Sequence, residues 1–277
     1  MWTLALALAL SMAPPVAPPE RSTAELILAL PACESLECDA AKALLERKAT
    51  PELRSALSHL NELVRFWATG LLGELRDREA VEPLATCAGF TLKGDAISPP
   101  PEASVRVRAG ALYALGQLGD LRATPVLTAA LRHKDVNLRI GATLGLGLLR
   151  DPASADALLG ALSDKDDEVR GFSAAALGDL GEVRAVAPLA LRLREDVKPG
   201  VRALAAGALG LLAGGSPPQT TALDALLAAL EQDEDPEVRV ECVRALTGNA
   251  GARTALEKAK GQPDPVGAAA RAALEAR

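Results

Sequence analysis

The sequence predicts an all-α solenoid, a row of stacked helical hairpins, on three observations: a repeat close to 31 residues, a nearly aromatic-free core, and recurring proline and glycine punctuation. The repeat is anchored on Val or Leu followed by Arg, with Leu eight positions later, as in "VRAGALYAL" from Val107. The anchors Val107, Leu138, Val169 and Val201 stand 31, 31 and 32 residues apart. Self-similarity at a fixed period marks units that bury their apolar faces only by stacking on neighbours. Aromatic residues make up 2% of the 277, so Leu, Val and Ala must fill the interior, which suits helices lying at close range.

Taken in chain order, residues 1–19 read as a secretory signal and a Pro-rich spacer. The apolar run from Trp2 to Met12 is too short to span a bilayer and is followed by small residues and prolines. Export to a periplasmic or extracellular space is expected, with cytoplasmic residence as the alternative. Residues 20–277 are expected to form one solenoid domain of about six to seven repeats. Cys33 and Cys38 in "PACESLECDA" can pair in an oxidising compartment if Cys33 lies outside the helix, because five positions along one helix would point them apart. Anchors follow at Val64 ("VRFWATGLL"), Val107, Leu138 ("LRIGATLGL"), Val169 ("VRGFSAAAL"), Val201 ("VRALAAGAL") and Val238 ("VRVECVRAL"); a decayed unit starts at Val266, where Gly267 replaces the Arg. The long steps after Val64 and Val201 hold "GFTLKGDAISPPPEAS" and "GGSPPQTT", both read as loops.

Between anchors lies a second helix, as in "REAVEPLATCA" and "LRATPVLTAALR", with Pro83, Pro125 and Pro188 near its first turn, where a missing N–H costs least. Asp135, Asp167, Asp235 and Asp264 are placed to cap the anchor helices, and turns at Gly119, Asp120, Gly181 and Glu182 to stop them. Cys87 and Cys242 occupy positions of small apolar residues and read as inert core.

The phrasing "DDEVRGFSAAALGDLGEVRAVAPLALRL" resembles the HEAT-like repeat first described in phycobilin lyases, over about residues 50 to 277, with "CDAAKALLERKATPELRSAL" as a degenerate leading repeat. The resemblance implies a right-handed superhelix with the anchor helix on the concave face and the Pro-bearing helix outside. It speaks for fold and says little of function.

At about 100° per residue, the anchor and positions +4, +7, +8 and +11 converge on one side of the helix, and +2, +6 and +10 point away. The Arg at +1, namely Arg65, Arg108, Arg139, Arg170, Arg202 and Arg239, sits at the margin, within reach of an Asp or a turn carbonyl of an adjacent repeat. We read it as a structural ladder, with phosphate or carboxylate binding as the alternative. Four of the five aromatics outside the leader fall on the groove side or its flank: Phe66, Trp67, Tyr113 and Phe172; the fifth, Phe90, is in the first insertion. Ile140, Leu144, Leu204, Val240 and Arg244 join them as the expected partner-binding face. A solenoid needs no large apolar groups there for its own packing, and such patches mark binding surfaces. The competing reading buries Phe66 and Trp67 under a leading repeat.

Catalytic signals are thin. His59 and His133 have no Cys, Asp or Glu at metal-ligand or triad spacing, so neither a metal nor a cofactor is expected. HEAT-like hydroxylases carry repeated His-Glu pairs for di-iron, and none occurs here. The net charge of −6 weighs against nucleic acid and against anionic membrane surfaces. The expected function is a non-enzymatic scaffold, a monomer, holding a protein or peptide on its concave face. The alternatives are a lyase-like or chromophore-handling protein and, further off, a DNA-binding one.

Overall fold

The computed structural model describes residues 21–100, 103–214 and 220–276; the leader expected over 1–19 and the middle of the second insertion lie outside the described residues. Sixteen α-helices are found among those described. α1 (Thr23–Ala29) and α2 (Asp39–Glu46) lead into seven pairs of a return helix and an anchor helix. These are α3 (Thr50–Ala56) with α4 (Glu62–Glu74), α5 (Val81–Ala88) with α6 (Val105–Leu118), α7 (Thr124–Ala130) with α8 (Val136–Leu149), and α9 (Ala155–Ala161) with α10 (Asp167–Leu180). Then come α11 (Val186–Glu195) with α12 (Pro199–Ala213), α13 (Thr220–Gln232) with α14 (Pro236–Leu246), and α15 (Arg253–Ala259) with α16 (Val266–Glu275). The fold is the expected all-α solenoid.

Each anchor helix presents the predicted stripe to the core. In α6, Val107, Ala111, Leu112, Ala114, Leu115 and Leu118 are buried, and one hydrophobic cluster runs from Leu26 to Ala270. Successive anchor helices pack directly on each other, whereas most return helices touch chiefly the anchor that follows them. A row of small residues permits that closeness. Gly73, Gly116, Gly147, Gly178 and Gly210 all stand nine positions after an anchor and face Ala114, Gly145, Ala176, Ala208 and Ala245, each seven positions after the next. A Cβ on Gly178 would lie 2.7 Å from the Cα of Ala208, and one on Gly116 would run into the backbone of Gly145. Tighter spacing in the anchor layer than in the return layer curves the row toward the anchors.

Helix ends follow local chemistry, with two corrections. Asp135 and Asp235 cap α8 and α14 as expected, Asn61 caps α4 and Ser104 caps α6. The cap of α10 is Asp166 rather than Asp167, because the chain turns one residue earlier and Asp166 accepts from the amides of Glu168 and Val169. At α16 no side chain caps: Pro265 takes the cap position and Asp264 pairs with Arg271. Gly119 and Gly181 end their helices in the left-handed region at φ 65° and 71°. Asp120 and Glu182, placed by sequence in the stop signal, instead cap the 3-10 turn that opens the next helix.

The Arg row clasps one repeat to the next. Arg139 donates through Nη1 to the carbonyls of His133 and Lys134 in its own turn, and through Nε and Nη2 to both oxygens of Asp164 in the following turn, each at 2.9 Å. Arg170 does the same with Asp164 O, Lys165 O and the Asp196 carboxylate, and Arg202 with Asp196 O and the Asp233 carboxylate. Burial alone would raise the pKa values of Asp164 and Asp196, but the Arg139 or Arg170 guanidinium and a backbone amide hold them below the ordinary carboxylate range.

The series changes toward both ends. Arg65 bonds the carbonyls of His59 and Leu60, Arg108 bonds Ala88 O, and Arg239 bonds the Gln262 side chain. His59 and His133 stand where the later repeats have Asp, five positions before their anchors. Each ring Nδ1 accepts an amide two residues on, from Asn61 and Asp135 respectively. Burial, then the nearby charge of Arg108, lowers the pKa of His133 and keeps it neutral.

Candidate functional site

The candidate site is a groove of about 720 Å³ on the anchor layer, lying along α6 between α4 and α8. These three helices run the same way. At one end the α6 cap Ser104 donates to Glu62 in the first turn of α4, and at the other Gln117 donates to Glu74 at 2.7 Å. The floor is built of small residues, Gly70, Ala109, Gly110 and Gly141, and a Cβ on Gly70 would meet nothing within 4 Å. The walls are Phe66 and Trp67 from α4, and Ile140 and Leu144 from α8; Tyr113 rises from the middle of α6 and is 39% exposed.

The aromatic wall is ordered by its own contacts. Phe66 and Trp67 meet edge to face, with centroids 6.3 Å apart and ring planes at 70°. Phe66 lies near Gly110, and the Arg106 guanidinium sits over its ring, 4.1 Å from the centroid. Both aromatics also touch the core and are half-buried, so the packing reading accounts for part of their surface and the groove for the rest. Leu36 completes the lining. It is held in a short loop whose ends, Cys33 and Cys38, are joined by a disulfide with Cα atoms 5.6 Å apart; Cys33 lies just past the 3-10 turn Leu30–Ala32, and Cys38 caps α2.

The structure brings together Phe66, Trp67, Tyr113, Ile140 and Leu144 from the expected face, and leaves four residues out. Phe172 is half-buried on α10 and does not reach the groove, since the trough over α6 is bounded by α8. Leu204 lines a separate, smaller depression of about 430 Å³ with Leu211, Asp179 and Glu241. Val240 packs against the core, and Arg244 points out to pair with Glu241 at 3.0 Å. Phe90 is buried at 3% exposure in the insertion, which folds back through a bridge between Phe90 and Ala96.

Sequence reasoning missed Leu36 and the pairing of Glu74 with Gln117 at the groove's end. The last two were readable, because Glu74 and Gln117 both stand at +10. Leu36 had no periodic signal, being in an irregular loop. The polar groups lining the groove are Thr69, Glu74, Arg106, Tyr113, Gln117 and Asn137, a set with no His or Cys and no base beside a nucleophile. Among the described residues no three His, Cys, Asp or Glu side chains gather as a metal site. The two unpaired thiols are buried, and burial pushes Cys87 up to about 11 and Cys242 up to about 12, which leaves them protonated and unreactive. No helix among the described residues is long and apolar enough to cross a membrane.

Parallel anchor helices clasped in series, with an apolar trough on their shared face, define a helical-repeat solenoid. The chain belongs to the HEAT-repeat family: the model of HEAT repeats matches residues 124–210 and 192–275, and that of the PBS lyase HEAT-like repeat matches 64–89 and 107–133. Among solved structures it is similar to the CpcE–CpcF complex of phycocyanin lyase from Nostoc, at 19% identity over 95% of this chain and 97% of that one, with a TM-score of 0.52. It is also similar to YibA of Escherichia coli, at 17% identity over 88% and 100% of the two chains with a TM-score of 0.52. A third likeness is to a chain of the Kap95p–RanGDP complex, at 11% identity over 90% of this chain and 41% of that one with a TM-score of 0.59. No curated protein matches the chain by sequence. At these identities the likenesses are of fold.

Proposed function

We propose that this protein is a non-enzymatic interaction scaffold that holds a segment of another polypeptide in the groove over α6. The observation that carries the reading is the groove's lining: large apolar side chains from three successive repeats converge on a trough that the solenoid's own packing does not fill. Exposed apolar patches of this kind, with aromatic anchors and a polar rim, are where binding energy concentrates. Two of the similar folds, the Nostoc lyase subunits and the Kap95p assembly, come from complexes between proteins. Residues 1–19 fit export, and the Cys33–Cys38 bond suits an oxidising compartment.

The test is affinity capture from the native host with the unaltered protein and with Trp67→Ala. Trp67→Ala keeps its helical circular dichroism and weakens partner binding by about 2 kcal/mol or more. Leu177→Ala behaves oppositely: its side chain is fully buried, so it costs about 2 to 5 kcal/mol of stability and leaves the groove's lining in place. Capture that is indifferent to Trp67→Ala overturns the assignment.

A further inference from the structure

We infer that the groove takes an amphipathic α-helix lying antiparallel to α4, α6 and α8, with its C-terminal end at Arg106 and its N-terminal end at Glu74. The inference rests on the groove being the binding site, and adds the conformation and direction of the occupant.

Conformation follows from what the groove lacks. The charged and amide side chains stand toward its two ends, Arg106 and Asn137 in the first turns of α6 and α8, Glu74 and Gln117 in the last turns of α4 and α6, and the Tyr113 hydroxyl is the one further polar group between them besides Thr69. Between them the lining is Gly70, Ala109, Gly110, Gly141, the aromatic wall and the α8 aliphatics, with Thr69 spending its hydroxyl on the Phe66 carbonyl at 2.7 Å. All three helices satisfy their own backbones, so the trough has no sheet edge to offer. An extended peptide laid there would lose water from its amides and find only the Tyr113 hydroxyl as a partner for them. A helix brings its backbone already paired and needs only one apolar stripe, which is the helix-in-groove mode of recognition. From Arg106 to Gln117 the trough runs about 16 Å along α6, the length of about three helical turns. The glycine and alanine floor lets that helix come close.

Direction follows from charge. The parallel N-termini of α6 and α8 and the Arg106 guanidinium favour an anion at that end, offset in part by the Glu62 and Asp135 carboxylates bound to Ser104 and to the Asn137 amide, and the C-terminal turns of α4 and α6 with Glu74 make the other end negative. Among the described residues Arg106 has Phe66 beneath it and forms no ion pair. A helix running against α6 sets its negative C-terminal dipole end at Arg106 and its positive N-terminal end at Glu74. Acidic side chains in its last turn and basic ones in its first add to both contacts, and the parallel orientation opposes all of them.

The experiment selects a phage-displayed library of random 14-residue peptides on the full chain, with Trp67→Ala as the counter-target. Enriched peptides should carry apolar residues spaced i, i+3 or i+4, i+7, with Lys or Arg toward the N-terminus and Asp or Glu toward the C-terminus. The best is then synthesised and titrated by fluorescence anisotropy. Exchanging its end charges should weaken binding at least tenfold, and the double variant Arg106→Glu, Glu74→Lys should reverse that preference. Enriched peptides that are proline-bearing or alternating, or that bind equally after charge exchange, overturn the helix or its direction and leave the groove reading intact. Selection that never favours the unaltered protein over Trp67→Ala overturns both. Self-association abolished by Trp67→Ala, or displacement of the selected peptide by one of residues 1–20, shows self-occupancy and overturns the inference.

Discussion

Adding one methyl group at Gly116 sets two opposed effects against each other. As a helix-interior substitution, Gly to Ala lowers the free energy of α6 by about 1 kcal/mol. At this position the new Cβ is driven into the Cα, carbonyl carbon and oxygen of Gly145 on α8. Those are backbone atoms of an adjoining helix, so no side chain can swing aside and the anchor layer itself must spread. Overpacking of that kind costs about 1 to 3 kcal/mol, and the rigid partner places it at the upper end. The net expectation is a loss of about 1 to 2 kcal/mol. Gly160→Ala is the internal control, because Gly160 is exposed within α9 and its Cβ would meet nothing within 4 Å. It should gain about 0.5 to 1 kcal/mol. Urea denaturation followed by helical circular dichroism reads both, and the midpoints should move in opposite directions. A Gly116→Ala protein as stable as Gly160→Ala would refute the argument that close approach of the anchor helices holds the curvature.

Three further outcomes follow from contacts already described. Asp196→Ala leaves Arg170 nearly buried without its carboxylate and costs about 3 kcal/mol, checked by a double-mutant cycle with Arg170→Ala. Its folded pKa is depressed, so the stability the pair contributes is present above the ordinary carboxylate value and is lost as acidification carries the solution down through the depressed one. His133 is also depressed in the fold, so the unfolded chain takes its proton first. Stability therefore falls as pH drops below about 6.5, and the decline stops once the folded His133 titrates too. His133→Asp, which supplies a carboxylate beside Arg108, should abolish that slope in pH-dependent denaturation; an unchanged slope refutes the assignment. Cys33→Ser with Cys38→Ser frees the loop that holds Leu36, and should weaken binding of a groove ligand several-fold while leaving the rest of the solenoid folded, measured by anisotropy and circular dichroism.

Much of this fold was legible because a repeat writes its own alignment. The anchor, +4, +7, +8 and +11 positions were read as core from periodicity alone, and in α6 all are buried. The Arg at +1 was placed within reach of an Asp or a turn carbonyl of an adjacent repeat; Arg139 and Arg170 do take the Asp of the following turn, but the carbonyls they bond are in their own. The groove was half legible. Phe66, Trp67 and Tyr113 announce themselves by rarity, but extending the face to Phe172, Val240 and Arg244 assumed that equal register means equal exposure. It does not, because the trough depends on Gly110 and Gly141 at +3, and the same position is Phe172 in α10. The glycines at +9 were also open to reading. Their partners at +7 were not, since those pairings cross between helices by a shift of two positions.

The clasps have a mechanical corollary. Bidentate guanidinium–carboxylate pairs join the units from Arg139 through Asp233, whereas nearer the N-terminus Arg65 and Arg108 bond carbonyls and the carboxylate clasp, Asp77, is taken by Arg54 of a return helix. A pull on the two ends would therefore extend the terminal units before the clasped middle. The molecule is graded in stiffness, firm at its waist and looser toward its ends.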